Sequence, residues 1–475
     1  MKKTFSFMRN LIVVTFFLFA TMAQAQYVRT SYFMADEPLR ININPALAPE
    51  RGYFAIPFIV NGVSLSSNVF GTKYFAKVLN NSSNDSYFMS SSFLNKLEDR
   101  NYFNLQFDMN ILNFGWWKRN AFWSVDMAIK TTADMRYPRQ LFHFMKDMRS
   151  GNIDWKNVQY DLSGYDGTLS TYFETGVGYS RKIHDRLTFG VKGKLLLGIA
   201  NLHAGLDKMD IDFDLSNVDA DIDWANATRD ELKRIRGHVD LDMHASISGY
   251  CKSMEFLHSR KHPEEVEDLE FTKFGFSGTG AAFDFGVDFK INERMNVSAA
   301  ITDFGFIKWK AEANLEAIAT ASAHYNCPDD ADELAQLLGS GETYNSEAFD
   351  RLTTYESGTA PSDSCSWLNS NIVAGFEFRP HEKISVGLLS SSHLARKSAT
   401  ELTLSGVFSP VKKINLALTY SMLQSRARSF GFGIGLGRIL FIGTDYMWLK
   451  NDSKISNVVV GLTVPMGKKR ADSQE

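Results

Sequence analysis

Aspartates at 207, 210, 212, 214, 219, 221 and 223 form the densest run of ligand-type side chains in this 475-residue chain. Carboxylate oxygens suit a hard cation such as calcium, but the spacing does not. Met209, Ile211, Phe213 and Leu215 interleave at period 2, and the glycine and terminal glutamate of an EF-hand loop are missing. The run reads as a strand with an acidic face, opposed by Asp240 and Asp242 and by Lys233, Arg234 and Arg236 of a connecting loop. The histidines are scattered and no Gly-x-Ser-x-Gly element accompanies them, so no catalytic residues are assigned and an enzyme is not expected. No cysteine or histidine cluster has metal-ligand spacing, so neither a metal nor a cofactor is expected. Cys251, Cys327 and Cys365 are too few for a disulfide scaffold. In an oxidising compartment a Cys327–Cys365 bridge would close the polar stretch between Lys310 and Trp367; three free thiols are the alternative.

The compartment follows from the N-terminus. Lys2, Lys3 and Arg9 precede the apolar stretch Leu11 to Ala20 and the small-residue pattern Ala23-Gln24-Ala25, so residues 1–25 are expected to be a secretory signal peptide. Gln26, rather than a cysteine, follows, which gives no sign of a lipid anchor. Beyond it no apolar run approaches the roughly 20 residues of a spanning helix. A net charge of -3 provides no basic stripe, which excludes a nucleic-acid partner. Aromatic residues make up 13% of the chain, and so many need an apolar surface to cover.

Alternation supplies that surface. Phe103, Leu105, Phe107, Met109 and Ile111 alternate with Asn104, Gln106, Asp108 and Asn110; Ala121 to Ile129 and Phe283 to Phe289 repeat the pattern, the latter against Asp284 and Asp288. Toward the C-terminus, strands near 370–379, 383–391, 399–409, 413–422, 428–436, 438–449 and 455–465 are joined by short turns, as at Gly437-Arg438, alternating with longer loops. Short turns at one end and long loops at the other are the habit of bacterial outer-membrane barrels, whose backbone groups are satisfied only if the sheet closes. The predicted fold is therefore all-β, a transmembrane antiparallel barrel of about 14 strands, with 16 if Met209 to Asp223 counts separately. Residues 53–466 form the barrel, with a polar loop insert at about 310–367, and 467–475 form a polar tail. Trp116, Trp117, Trp309, Phe441, Tyr446 and Trp448 are placed in a lipid-interface girdle. Arg139 to Met148 and Asp329 to Leu338 have helical composition and are expected to decorate loops. A secreted all-β protein is the alternative.

Ahead of the first strand runs Leu39-Arg40-Ile41-Asn42-Ile43-Asn44-Pro45-Ala46-Leu47-Ala48-Pro49-Glu50, whose prolines rule out a central strand. The element Asn44, Pro45, Ala46 resembles the FadL long-chain fatty-acid transporter superfamily and its Bacteroidota relatives such as the PorV-type secretion barrels. Together with Thr302-Asp303-Phe304-Gly305-Phe306-Ile307-Lys308-Trp309 it looks more particularly like a Bacteroidota barrel family of unknown function. The resemblance implies that residues 26–52 fold into the lumen as a plug, with Asn44, Pro45 and Ala46 as its motif; a strap that only seals the barrel is the alternative. It also implies residence in the outer membrane, in contact with its lipid, and passive passage of small hydrophobic or amphipathic molecules. A PorV-like barrel that binds secreted proteins or secretion components, and a purely structural barrel, remain as other readings.

Overall fold

The computed structural model describes residues 29–467 apart from 36, 59, 70–89, 151–154, 157, 219–221, 224–225, 259–264, 339–354, 358–360, 395–399, 412, 424–427 and 448–454. The expected signal peptide, Trp448 and the tail after Gly467 lie outside the described residues. The wall begins with β1, broken into Gly52–Ala55 and Val60–Ser67, followed by β2 (Arg100–Lys118), β3 (Ala121–Pro138), β4 (Tyr165–His184) and β5 (Leu187–Ser216). It continues through β6 (Gly278–Lys290), β7 (Met295–Trp309), β8 (Asn371–His381), β9 (Ile384–His393) and β10 (Thr400–Val411). It ends with β11 (Ile414–Leu423), β12 (Arg428–Leu436), β13 (Leu440–Met447) and β14 (Ile455–Met466). Each strand pairs antiparallel with the next, and β14 returns to β1 through Gly52↔Met466 and Val63↔Val458, closing a 14-strand ring. Closure leaves no unpaired edge. The expected architecture and the smaller strand count are both observed.

Alternation along each strand separates two environments. On β6, Phe283, Phe285, Val287 and Phe289 point outward and are exposed, whereas Asp284 and Asp288 face inward and are buried. Phe376 and Phe378, Leu404 and Phe408, Ile442, and Val464 carry the outward apolar face round the far side of the ring. A water-facing protein rarely exposes so continuous an apolar belt, whereas a lipid-facing barrel requires one. The expected aromatic girdle is largely corrected. Trp116 is exposed, but Trp309, Phe441 and Tyr446 are buried, and Trp117 donates its indole N–H to the Pro49 carbonyl at 2.9 Å. These rings pack inside the protein because their strand positions share parity with the lumen or with a junction described next.

The ring is lopsided. From β8 to β14 the strands have 8 to 12 residues, close to the 9–11 that cross a bilayer, but β5 has 30. Roughly two thirds of β5 therefore stands beyond the apolar belt. Its lower part pairs with β6 up to Gly278↔Gly198, and its upper part pairs from Ala200↔Cys251 onward with a strand at Arg236–Cys251. That strand pairs in turn with Asn314–Cys327, so the wall branches into an outer sheet. Trp309 sits at the branch, fully buried, donating its indole N–H to Ser366 Oγ at 2.7 Å. A Cβ on Gly198 or Gly278 would collide with its ring, so the branch point needs glycine on both neighbouring strands. The stretch 310–367, expected as a polar loop insert, thus contains a sheet strand whose Leu315, Ala317, Ala319 and Ala321 are buried. The expected helices form at Arg139–Ser150 and Ala331–Leu338; Leu141 is buried on the first, and Leu334 of the second joins an apolar core with Phe213, Leu215 and Val239 of the outer sheet.

Candidate functional site

Residues 29–35 and 37–50 lie inside the ring, running from its long-loop half to its short-turn end. At the upper end Thr30 donates through N–H and Oγ1–H to Asp445, at 2.9 and 2.6 Å, and the Arg29 guanidinium pairs with Glu401 and donates to the Tyr446 hydroxyl. At the lower end Glu50 meets Arg438 of the Gly437-Arg438 turn at 2.6 Å. Between them Tyr32, Phe33, Met34, Ile43 and Leu47 bury against inward-facing Val373, Leu389, Val407 and Phe441.

The Asn44-Pro45-Ala46 element has a specific seat. Gly190 of β5 and Gly286 of β6 are register partners, and the glycine pair leaves a flat notch in the inner wall. A Cβ on Gly190 would overlap the Pro45 and Ala46 backbone, and one on Gly286 would overlap Asn44 and Pro45. Asn44 is completely buried; its Oδ1 accepts the Ala46 N–H at 2.9 Å, and its amide donates to the Tyr32 hydroxyl at 3.2 Å and to the Val287 and Ala299 carbonyls. Tyr32 in turn meets Ser298 Oγ at 2.8 Å.

Above the seat, charges converge from consecutive strands. Lys194 Nζ lies 2.6 Å from Asp303, 2.8 Å from Asp284 and 3.6 Å from Glu174, and Lys130 Nζ lies 2.9 Å from Glu174 and 3.3 Å from Asp303. Lys192 bridges Asp126 at 2.8 Å and the Asn42 side-chain oxygen at 3.0 Å. A bulge on β7 aims Asp303 into the cluster: the register shifts opposite Asp284, Asp303 takes a φ of 56°, and its N–H donates to Asp284 Oδ1 at 2.7 Å. Aspartate tolerates this left-handed backbone better than most residues. The convergence was not expected from the sequence, although Lys130, Asp126, Asp284 and Asp303 all stand on polar faces there. The available signal was opposite charge at the same parity on neighbouring strands.

A cavity of about 380 Å³ lies between this cluster and the inner segment. Gln106, Asp108, Thr132, Ser170 and Asn201 line it from β2 to β5, and Ile43, Val373, Leu389, Ile307 and Leu368 add apolar surface from the inner segment and from β7 to β9. The lining is mixed, since Asp303, Asn371, Ser391 and His393 stand among these apolar residues. It touches the wall where the β7–β8 ladder stops at Thr302↔Asn371 and resumes only at Phe306↔Trp367 of the short strand Ser364–Trp367.

The remaining expected sites are dispersed. Cys327 and Cys365 are both free: Cys365 is exposed opposite Lys308 at the top of β7, and Cys327 lies at the far end of the 14-residue strand Asn314–Cys327. A strand of that length spans roughly 40 Å, far beyond disulfide reach, so the expected bridge is corrected. Asp210, Asp212 and Asp214 do form an acidic face, with Ile211, Phe213 and Leu215 buried behind them. Their neighbours are not the loop cations, however. Lys208 pairs with Asp242 at 2.5 Å, His324 with Asp240, and His244 with Asp207 at 3.3 Å. Asp219 and Asp221 lie outside the described residues. Among the described residues no three His, Cys, Asp or Glu side chains are grouped to hold a metal ion.

A closed ring with an apolar exterior, paired luminal charges and an occupied bore is a β-barrel of the outer-membrane type. The chain belongs to the family of unknown function DUF5723, which matches residues 45–445, from Pro45 of the seated element to Asp445, the partner of Thr30. No curated protein matches it by sequence. Among solved structures it is similar to the toluene transporter TodX of Pseudomonas putida, with 7% identity, 93% of each chain covered and a TM-score of 0.37. It is also similar to the toluene transporter TbuX of Ralstonia pickettii, with 10% identity, 90% of this chain and 94% of that one covered, and a TM-score of 0.35. A Rhodopseudomonas blastica porin covers 65% of this chain and 96% of its own length, at 10% identity and a TM-score of 0.21.

Proposed function

We propose that this protein resides in the outer membrane and passes small amphipathic molecules across it, with residues 29–50 as the plug. The observation that carries the reading is the cavity of about 380 Å³ directly above the seated segment, lined by polar and apolar side chains together. Its size falls within the range of small-molecule sites, and the mixed lining suits a ligand that has both polar and apolar parts. The interrupted β7–β8 ladder beside it is where a lateral exit toward lipid would open. No catalytic step belongs to this reading. Removing residues 36–50 should raise uptake of a small neutral probe into proteoliposomes while the barrel still inserts and still shifts on gels upon boiling. Unchanged uptake would refute gating by the segment.

A second reading is favoured by the outer lobe. The strands at Arg236–Cys251 and Asn314–Cys327 and the helix at Ala331–Leu338 build an apolar core of their own beyond the membrane belt, more structure than a pore requires. A barrel that holds a secreted protein would use such a lobe. A tagged full-length protein that retains one secreted partner after crosslinking, and loses it when residues 310–367 are removed, would favour this role over passage; failure of both experiments would leave a structural barrel.

A further inference from the structure

The charge of the cargo can be read from which luminal groups already have partners. Asp303, Asp284 and Glu174 are held by Lys130 and Lys194, Asp126 by Lys192, and Glu401 by Arg29. Asp108 lines the same cavity, half-buried, and among the described residues its carboxylate has no hydrogen-bond or ion-pair partner. The nearby ammoniums are committed elsewhere, and the carboxylates of this wall outnumber them. On the cavity's floor Asn42 is 6% exposed; its oxygen accepts from Lys192, but its amide nitrogen has no partner. A buried unmet donor of this kind is costly unless something completes it. Among the described residues the cavity therefore offers the Asp108 carboxylate and the Asn369 side-chain oxygen as acceptors and the Asn42 amide as a donor, with apolar surface from Ile43, Val373 and Leu389.

The approach to the cavity has the same sign. A second cavity, of about 450 Å³, shares Asn201 with the first and is lined by His203, Ser248, Tyr250 and Glu316. The strand Arg236–Cys251 keeps unbroken register with Asn314–Cys327, so Asp242 and Asp240 lie on the same face as Ser248 and Tyr250. Asp210 and Asp212 pair directly with them, and Asp161 flanks Asp210 on the other side. Lys208, paired with Asp242, and Arg236 are the cations of these rows among the described residues, so acidic groups are in excess. A face with an excess of one sign leading into a low-dielectric mouth concentrates counter-ions and speeds their entry.

We infer that the luminal site selects a cationic amphipath, a small molecule with a protonated amine anchored at Asp108 and an apolar body against Ile43, Val373 and Leu389. The inference rests on the proposal that this cavity holds the cargo. The test uses the purified full-length barrel and three probes of matched shape: 2-phenylethylamine, 2-phenylethanol and phenylacetate, measured by equilibrium dialysis. A charge-assisted hydrogen bond should make the amine bind about tenfold or more tightly than the alcohol, with the acid weakest. Asp108→Asn should bring the amine down to the level of the alcohol without changing the alcohol, and Asp108→Lys should favour the acid; an unchanged gel shift on boiling verifies that both variants fold. An amine that binds no better than the alcohol, or a preference that survives in D108N, overturns the inference. If the alcohol still crosses proteoliposomes in that case, passage stands and only the charge selection falls. If none of the three binds, both fall.

Discussion

Gly190→Ala isolates the seat of the inner segment with a single methyl group. The new Cβ would overlap backbone atoms of Pro45 and Ala46, which no rotamer change can relieve, and the register partner Gly286 leaves the other side of the notch equally tight. Overpacking of this kind costs about 1–3 kcal/mol. If Asn44 is displaced it also loses hydrogen bonds to Tyr32 and Ala46, each with a net worth of about 0.5–1.5 kcal/mol. A total of about 2–6 kcal/mol lowers the ratio of seated to unseated segment by roughly 30-fold or more. The penalty falls on the docked segment and leaves the ladders intact, since a strand accepts alanine without changing its pairing. The assay is uptake of a small neutral solute into proteoliposomes, paired with the gel shift on boiling. G190A should raise uptake and keep the shift, and Gly286→Ala should do the same. Wild-type uptake from a correctly inserted G190A barrel would refute the notch as the determinant of seating.

Lys194→Met removes the cation that Asp284, Asp303 and Glu174 share, stranding buried carboxylates at a cost of about 3–5 kcal/mol; the midpoint of heat- or urea-induced unfolding should drop, and D284N added to it should recover part of the loss. Trp309→Ala empties the branch point and should cost about 3–5 kcal/mol, seen as faster proteolysis between 310 and 367 with the barrel's own gel shift retained. In the outer sheet the hydrogen bond that the His324 ring N–H donates to Asp240 raises the His324 pKa above its ordinary value. That contribution is complete below about pH 6.5 and is lost as pH rises through the raised value, so protection of the Asn314–Cys327 amides, taken relative to the intrinsic base-catalysed exchange rate at each pH, should be higher at pH 5.5 than at pH 8.5, and H324Q should abolish the difference. For the cysteines, a maleimide added to the folded protein should modify Cys365 and spare buried Cys251 and Cys327, and mass spectrometry without reductant should find no Cys327–Cys365 bridge.

The barrel was legible because lipid imposes a rule that each residue obeys locally. Phe283 to Phe289 against Asp284 and Asp288 declares two faces whatever the neighbouring strand does. Closure and strand number followed from counting turns, with Met209 to Asp223 not counted as a separate strand, in keeping with β5 running from Leu187 to Ser216. The outer lobe was not legible, because Asn314 to Cys327 alternates alanine with polar residues and alanine is a weak strand signal. The girdle failed for a related reason: an aromatic near a strand end reads the same whether it stays exposed, as Trp116 does, or seals a junction, as Trp309 does. The Asn44 motif could be located but not explained, since its reason is a glycine pair about 145 and 240 residues away in the sequence. The charge cluster was hidden in the same way: its members come from separate strands, and only the ladders bring them to one height.

The two halves of the ring hold their register by different means. On β3 to β7 the lumen carries Asp126, Lys130, Glu174, Lys192, Lys194, Asp284 and Asp303, and a one-residue slip of β5 alone would turn Lys192 and Lys194 toward lipid. Near the bilayer midplane that costs about 2–4 kcal/mol for each lysine. Ion pairs that add little net stability when buried thus exclude the wrong pairing, which is where buried charge is best used. From β8 to β13 the inward face is mostly small or uncharged, as at Gly387, Leu389, Thr403, Ser405 and Gly433, and a slip there costs less. These strands are the ones that the inner segment grips: Arg29 holds Glu401, Thr30 holds Asp445, and Phe33 packs against Gly387. The segment is therefore a ruler for the half of the barrel whose strands carry no network of lysines and carboxylates like that of β3 to β7. The notch at Gly190 and Gly286 that seats it lies on the charged half.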